Sequence, residues 1–377
     1  MGPLDGVRVL DLSRLLPGPY CSMLLADYGA EVIKVEDPGL GDYLRGIPPL
    51  VEGTSAYFLA LNRNKKSLSL NLKEAEGVAI LRRLAETADV VLESFRPGVA
   101  DRLGVGYADL KAVNPRLIYC SLTGYGQTGP LRERSGHDLN YMALAGALAQ
   151  LRPGAEDLPV LPGIQVADIA GAMYAATSIS MALFARERTG AGTYLDVAML
   201  DAAMSWLPFV AARTFVEGSA PGPGATELNG AVARYAVYRT ADGKAVALAA
   251  LEEKFWHAFC KAAGHPEWRQ ERSEAVLKAA LGGFFAERSR EEWAAWAEGK
   301  DICLEPVLAF DEAIEHPQVR ARGLVATDQL RSPVPYPDVE AGPRTPPPRL
   351  GEHTEAILAE LGIDRAECQS LRERAIL

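Results

Sequence analysis

GVRVLDLSRLLPGPYCSMLLADYGAEVIKVE, residues 6–36, decides the fold. Residues 6–13 read as a β-strand, the Pro-Gly-Pro at 17–19 forces a turn, and residues 20–29 form an amphipathic helix that Gly29 stops. EVIKVE, 31–36, is then a second strand. A strand–helix–strand unit closes by a crossover, so its strands run parallel and the helix covers one face of the sheet. The pattern continues outward. SLSLNL (67–72), DVVLES (89–94) and LIYCSL (117–122) are further strands, separated by helical stretches such as EAEGVAILRRLAETA (74–88). The expected class is α/β with a mostly parallel sheet. No G-x-G-x-x-G follows the first strand, so a dinucleotide cofactor is not expected.

Farther along, ADIAGAMYAATSISMALFARER (167–188) is a long helix rich in small residues, expected to be buried. Proline and glycine then gather in EGSAPGPGA (217–225), which reads as a linker. YAVYRTADGKAVALAAL (235–251) is a hairpin with Asp242-Gly243 in its turn, followed by a helix from about Glu253. These begin a second, smaller α+β unit that runs to about residue 325. The proline-rich stretch 333–354 is an extended return segment, and the tail ends in a short helix.

The 377 residues suffice for a large core in two or three domains, and 48% hydrophobic with 23% charged residues is an ordinary globular composition. No uninterrupted apolar stretch reaches membrane-spanning length and the first residues lack a basic-then-apolar signal design, so the expectation is a cytoplasmic protein without a membrane partner. Five scattered cysteines contain no CxxC pair, and the histidines show no metal-ligand spacing; neither disulfides nor a metal is expected. Cys303 reads as a packing cysteine. The net charge of −10 argues against nucleic acid as the main partner but leaves room for a small anion held in a local cationic pocket. RNKKS, with Arg63, Lys65 and Lys66, is a candidate for that pocket and equally a solvated charge run.

His137 is one of only five histidines and stands between Gly136 and Asp138 at the mouth of the apolar helical run in RSGHDLNYMALAG (134–146). Imidazole changes charge near neutral pH, so this residue reads either as an acid–base group or as a helix-start histidine bonded to backbone. Tyr141, four residues on, would share its helix face, as a core tyrosine or as a member of the site. Asp168, in QVADIAGAM, reads as the N-cap of the following helix or as a carboxylate tuned by that helix's N-terminus.

Several stretches together resemble the family III CoA-transferases and their racemase relatives: LLPGPYCSMLLADYGAEVIKVEDPG, LNRNKKSLSLNLK, ESFRPGVADRLGVGYADL, SLTGYGQTGPL, GHDLNYMALAG and HPQVRARGL. The resemblance covers nearly the whole chain and is greatest to α-methylacyl-CoA racemases. It implies a Rossmann-like large domain built from residues 1–215 and completed by a C-terminal return segment, 326–377. A small α+β domain, 225–325, is inserted between them. It also implies a homodimer of two interlocked ring-like subunits.

The resemblance implies a racemase of 2-methylacyl-CoA thioesters, or alternatively a CoA-transferase. Racemisation needs two acid–base groups flanking the α-carbon and no cofactor, CoA being carried by the substrate. The implied groups are His137 and Asp168, with Tyr141 beside them and Glu252 pairing with the histidine; Glu253 offers an alternative register. In a transferase Asp168 would attack the thioester and carry the acyl group as an anhydride. His137, and LAALEEKF (248–255) in place of a glycine-rich loop, disfavour that branch. The implied CoA grip is Arg63, Lys66, Arg96 and Arg102, with Ser67, Leu68 and Ser69, then Ser94, Phe95, Pro97 and Gly98, lining the adenine and pantetheine path. Gly136 and Asp138 lie against the ligand. Asp37 departs from the pattern, standing where some relatives place a basic phosphate contact. The glycines of TGYGQTGP fit either a ligand approach or a tight turn.

Overall fold

In the structure, a computed structural model describing residues 2–152, 157–326, 328–336 and 342–377, the opening segment forms β1 (Arg8–Asp11), α1 (Pro17–Asp27) and β2 (Glu31–Glu36). The Pro-Gly-Pro begins the helix and does not precede it as a separate turn. Proline at the first helical position lacks only an N–H that the first turn could not use, and its fixed φ suits the helix. Ten of the eleven residues of α1 are buried, so the helix is covered on all sides, where an amphipathic one was expected.

The sheet continues with β3 (Lys65–Ser69), the helix α2 (Ala75–Ala85), β4 (Val90–Glu93), the short helix α3 (Val99–Leu103), β5 (Ile118–Thr123) and, after two further helices, β6 (Tyr194–Ala198). The last strand is an addition to those read from the sequence. Every pairing is parallel and the order is β3-β2-β1-β4-β5-β6. The core runs through Leu10, Ile33, Leu68, Val91 and Tyr119. The chain turns one way from β1 and the other way from β4, so these adjacent strands form a switch point. A parallel sheet opens its ligand crevice outside the carboxyl ends at such a point. Here those ends lead into Leu12–Arg14 and Ser94–Gly98.

Two further helices hold the candidate site: α4 (Asp138–Leu144) and α5 (Val166–Thr189). The 24-residue α5 is, among the described residues, the one helix long and apolar enough to cross a membrane, by length and composition alone. It lies on α1 and on β5 and β6, burying Ala167, Ala170, Gly171, Ala175 and Ile179. A Cβ added to Gly171 would come within 2.7 Å of Met199, so the small residues set that close approach. The opposite face is open, with Met181 65% and Phe184 62% exposed, so burial of α5 is one-sided.

By its contacts the chain divides into two compact units. One comprises Met1–Ala147, Pro162–Trp206 and Arg322–Leu377; the other Leu148–Leu161 and Leu207–Ala321. In the first, the C-terminal segment closes the sheet edge. His353 N–H donates to Ser67 O at 3.0 Å, Ser69 N–H donates to Thr354 Oγ1 at 3.0 Å, and Asn71 N–H donates to Ile376 O at 2.8 Å. The tail ends in two short helices, Thr354–Glu360 and Arg365–Glu373, and not in one. Residues 337–341 of the proline-rich return segment lie outside the described residues. The second unit carries α6 (Pro208–Glu217), an antiparallel sheet of β7 (Tyr235–Arg239), β8 (Ala245–Ala249) and β9 (Leu304–Pro306), and α7 (Glu253–Ala263), around a core of Trp256, Phe259, Phe285 and Trp293.

Candidate active site

His137 is the N-cap of α4, in extended backbone conformation. The cap itself is made by Asn140, whose Oδ1 accepts from His137 N–H at 3.0 Å. The imidazole takes no part in it. Exposed, it makes no hydrogen bond or ion pair among the described residues, so the alternative of a helix-start histidine bonded to backbone is not what the structure contains.

The preceding turn is fixed from below. Tyr141 is 5% exposed, its hydroxyl donates to Gly136 O at 2.6 Å, and its ring meets Tyr125 edge-on with centroids 5.1 Å apart. A Cβ at Gly136 would come within 2.7 Å of the Tyr141 ring and one at Gly124 within 2.4 Å. These glycines make room for Tyr141 and not for a ligand. Gly126 and Gly129 have positive φ and serve the tight turn. Burial, first of all, pushes the Tyr141 hydroxyl up to about 12, with Asp168 and Tyr125 adding to it. A proton so tightly held and already donated to a backbone carbonyl is not available for transfer. Tyr141, read from the sequence as a core tyrosine or as a member of the site, is buried and fixes the turn at Gly136, next to His137.

Asp138 ties this turn to α5. Its Oδ1 accepts from the N–H groups of Ala167 at 2.7 Å and Asp168 at 3.0 Å, two of the otherwise unpaired donors of the α5 N-terminus. The N-cap of α5 is Gln165, whose side chain caps nothing, so Asp168 is not the N-cap; the capping carboxylate arrives from α4. The helix dipole therefore acts on Asp138. Asp168, in the first turn of α5, is left half-buried beside that carboxylate, and its own makes no hydrogen bond among the described residues. Burial first, and the Asp138 charge second, raise it from 3.8 to about 7. A carboxyl poised near neutrality can give or take a proton with similar ease.

Glu252 is the N-cap of α7 in the second unit, exposed and without a side-chain bond among the described residues, while Glu253 is tied to Arg234 at 2.8 Å and to His257 at 3.2 Å. Of the two registers, Glu252 is the free carboxylate. Cys303 is partly buried, and burial first raises its thiol, as suits a packing role.

The expected CoA grip separates by the direction of the strands. Arg63 is 3% exposed and bidentate to Asp27 at 2.9 and 2.6 Å, a buried ion pair with no fork left for phosphate. Lys65 lies buried against Asp11, Pro19 O and Asn62, and Lys66 pairs with Glu31 at the amino end of β2. Arg63 and Lys66 thus meet acids on the amino side of the sheet and Lys65 reaches Asp11 at the carboxyl end of β1; the expectation that Arg63 grips CoA is corrected, and Lys66 has a carboxylate partner at Glu31. Ser67, Leu68 and Ser69 likewise cannot line the adenine path: Leu68 is core, and the outer edge of β3 is taken by His353 and Thr354.

Past the carboxyl ends the picture differs. Ser94–Gly98 leaves β4 at the switch point, with Arg96 exposed. Gly98, at φ +78, starts α3, and a Cβ there would come within 3.3 Å of the exposed Arg102 guanidinium. Neither arginine has an ion pair among the described residues. Asp37 turns back on Gly39 N–H at 3.0 Å and faces Lys73 only at 3.8 Å. Two groups were missed by sequence reasoning. Glu93, at the end of β4, is 3% exposed, accepts from Phe95 N–H at 2.7 Å and is raised to about 7, chiefly by burial. Arg14 follows β1; its place directly after the first strand was the available signal.

The model for CoA-transferase family III matches residues 4–354. The chain is 37% identical to human alpha-methylacyl-CoA racemase over 99% of this chain and 97% of that protein. It is also 37% identical to the succinyl-CoA:glutarate CoA-transferase of Mus musculus, over 96% of this chain and 87% of that protein. A crystal structure of a CaiB/BaiF family protein from Brucella suis superposes with a TM-score of 0.84 at 33% identity, covering 96% of this chain and 99% of that one. The chain belongs to CoA-transferase family III.

Proposed function

We propose that the chain is a cofactor-independent racemase that interconverts (R)- and (S)-2-methylacyl-CoA thioesters. The observation that carries this reading is the clasp between α4 and α5. One carboxylate, Asp138, adjoins an unpartnered imidazole at His137 and holds the N–H of Asp168, whose own carboxyl is raised to about 7. One of the two groups removes the α-proton, leaving its electron pair in a thioester enolate. The other returns a proton to the opposite face, and the pair ends with the same number of protons in the reverse arrangement. A transferase would use Asp168 ionised as a nucleophile, which a carboxyl near 7 also allows, so the unpartnered imidazole of His137, for which a transferase has no evident use, is what favours the racemase. Relatives of both activities stand at similar identity, so the transferase remains the second reading. A second copy of the chain is part of the proposal. It is supported by the open face of α5 and by α6, which buries none of its residues and leaves Phe215 85% exposed.

The test uses one enantiomer of a 2-methylacyl-CoA in D2O with a labelled free carboxylic acid present. α-Deuterium uptake with loss of optical purity and no labelled thioester is expected. Label transfer without α-exchange would establish the transferase. His137→Ala should abolish racemisation while leaving the melting temperature within about 1 °C, because an exposed side chain without partners contributes little to stability.

A further inference from the structure

We infer that Arg14 is a phosphate ligand for the nucleotide end of CoA, at the crevice between β1 and β4. The inference rests on the acyl-CoA reading only for the identity of the ligand. A strand-to-helix turn at a switch point usually grips phosphate with backbone N–H groups at the helix N-terminus. Here that means is reduced to the N–H groups of Leu16 and Gly18. Pro17 and Pro19 have no N–H. Ser13 N–H donates to Asp11 Oδ1 at 2.9 Å, Arg14 N–H to Ser94 Oγ at 3.2 Å and Leu15 N–H to Asp42 Oδ1 at 3.1 Å. Gly18 is packed on Ser13, where a Cβ would come within 2.1 Å of the Ser13 side chain. With two of the first-turn donors missing and three neighbouring N–H groups spent, a side chain has to carry most of any anion recognition at this turn.

Arg14 is the side chain the turn presents. Leu15 is held at φ +66, a left-handed conformation that a branched residue seldom adopts, and the Leu15–Asp42 bond and a bond from the buried Lys34 Nζ to Ser13 O at 2.9 Å fix it. The Arg14 guanidinium rests between two aromatic rings, 4.9 Å from the centroid of Tyr43 and 5.9 Å from that of Phe95. It is half-buried and, among the described residues, has no carboxylate partner. Stacking on the rings orients the guanidinium plane and leaves its N–H fork unspent. The need is local as well: Asp37 stands beyond the end of β2 with only Lys73 facing it at 3.8 Å, so a phosphate passing there requires a cation from elsewhere. Arg14 reaches the crevice from β1 while Arg96 and Arg102 reach it from β4.

The test is the dissociation constant of the full chain for free CoA, 3′-dephospho-CoA and pantetheine, by calorimetry, for wild type, Arg14→Gln and Arg14→Lys. Arg14→Gln should weaken CoA binding by roughly ten- to a hundredfold, and Arg14→Lys should recover part of it, keeping the charge but not the fork. A loss confined to CoA assigns Arg14 to the 3′-phosphate. A loss shared by CoA and dephospho-CoA but absent for pantetheine assigns it to the diphosphate. An equal loss for all three ligands, or none, overturns the inference, because a residue that merely shapes the turn does not distinguish phosphates. Failure of the wild type to bind CoA would instead overturn the acyl-CoA reading itself.

Discussion

Replacing Asp168 by Asn should abolish activity and make the protein more stable. The carboxyl is raised from 3.8 to about 7, first by burial and then by Asp138. A raised acid is one whose ionised form the fold disfavours. Below about pH 4 folded and unfolded chains both carry the proton and there is no cost. Between about 4 and 7 the unfolded chain releases it while the folded one retains it, and stability falls as pH rises. Above about 7 the cost is complete. About three pKa units at 1.36 kcal/mol each set a ceiling near 4 kcal/mol. Water reaching the half-buried carboxylate and the amide's own burial reduce the expected gain to about 1–2 kcal/mol, or about 2–4 °C in melting temperature. The assay is urea unfolding of Asp168→Asn against wild type from pH 4.5 to 8. The gain should be smallest at the acid end, grow toward pH 7 and then level off. A variant less stable than wild type by the same margin at every pH would refute the reasoning: Asp168 would then be an ordinary structural carboxylate, and its proposed part in proton transfer would lose its physical basis.

Asp138→Asn keeps an oxygen for the Ala167 and Asp168 N–H groups but removes the charge, so the acidic limb of kcat/KM should move down by up to about one pH unit. Both enantiomers should show the same shift, because the limb belongs to the His137–Asp168 pair and the racemisation equilibrium does not depend on pH. Arg63→Gln leaves Asp27 buried and uncompensated, and should cost about 3–5 kcal/mol in urea unfolding while the folded variant binds CoA like wild type. Tyr141→Phe removes the donor to Gly136 O and should cost about 1 kcal/mol of stability and lower kcat less than tenfold. Its pH–rate profile should keep both limbs; loss of the basic limb would make Tyr141 an acid after all.

The α/β plan was legible because its signals are local. Strand alternation, helical periodicity and the glycine after α1 each lie within a dozen residues, and they suffice for β1 to β5. The strand Tyr194–Ala198 escaped because only its last two residues are buried, so no apolar run marks it. His137 and Asp168 were legible as residues, but their arrangement was not. Asp168 looked like the cap of its own helix, while the cap actually comes from Asp138, 30 residues earlier in the chain. Capping positions can be read from sequence only when the cap is local.

The same limit misplaced the cations, and the way it did so explains the site. RNKKS looked like an anion grip because it is a run, yet each of its three charges meets an acid far away in sequence: Arg63 meets Asp27, Lys65 meets Asp11 and Lys66 meets Glu31. Arg14, a single arginine in a loop, gave no such signal and ended with its fork free. What separates them is the supply of nearby acids. Asp27, Asp11 and Glu31 lie in α1, β1 and β2 and neutralise the run, whereas Arg14, Arg96 and Arg102 follow the carboxyl ends of β1 and β4 and meet no carboxylate among the described residues. A chain with a net charge of −10 can therefore keep unpaired cations at one crevice without a basic surface: its acids neutralise the RNKKS run and leave Arg14, Arg96 and Arg102 without carboxylate partners among the described residues.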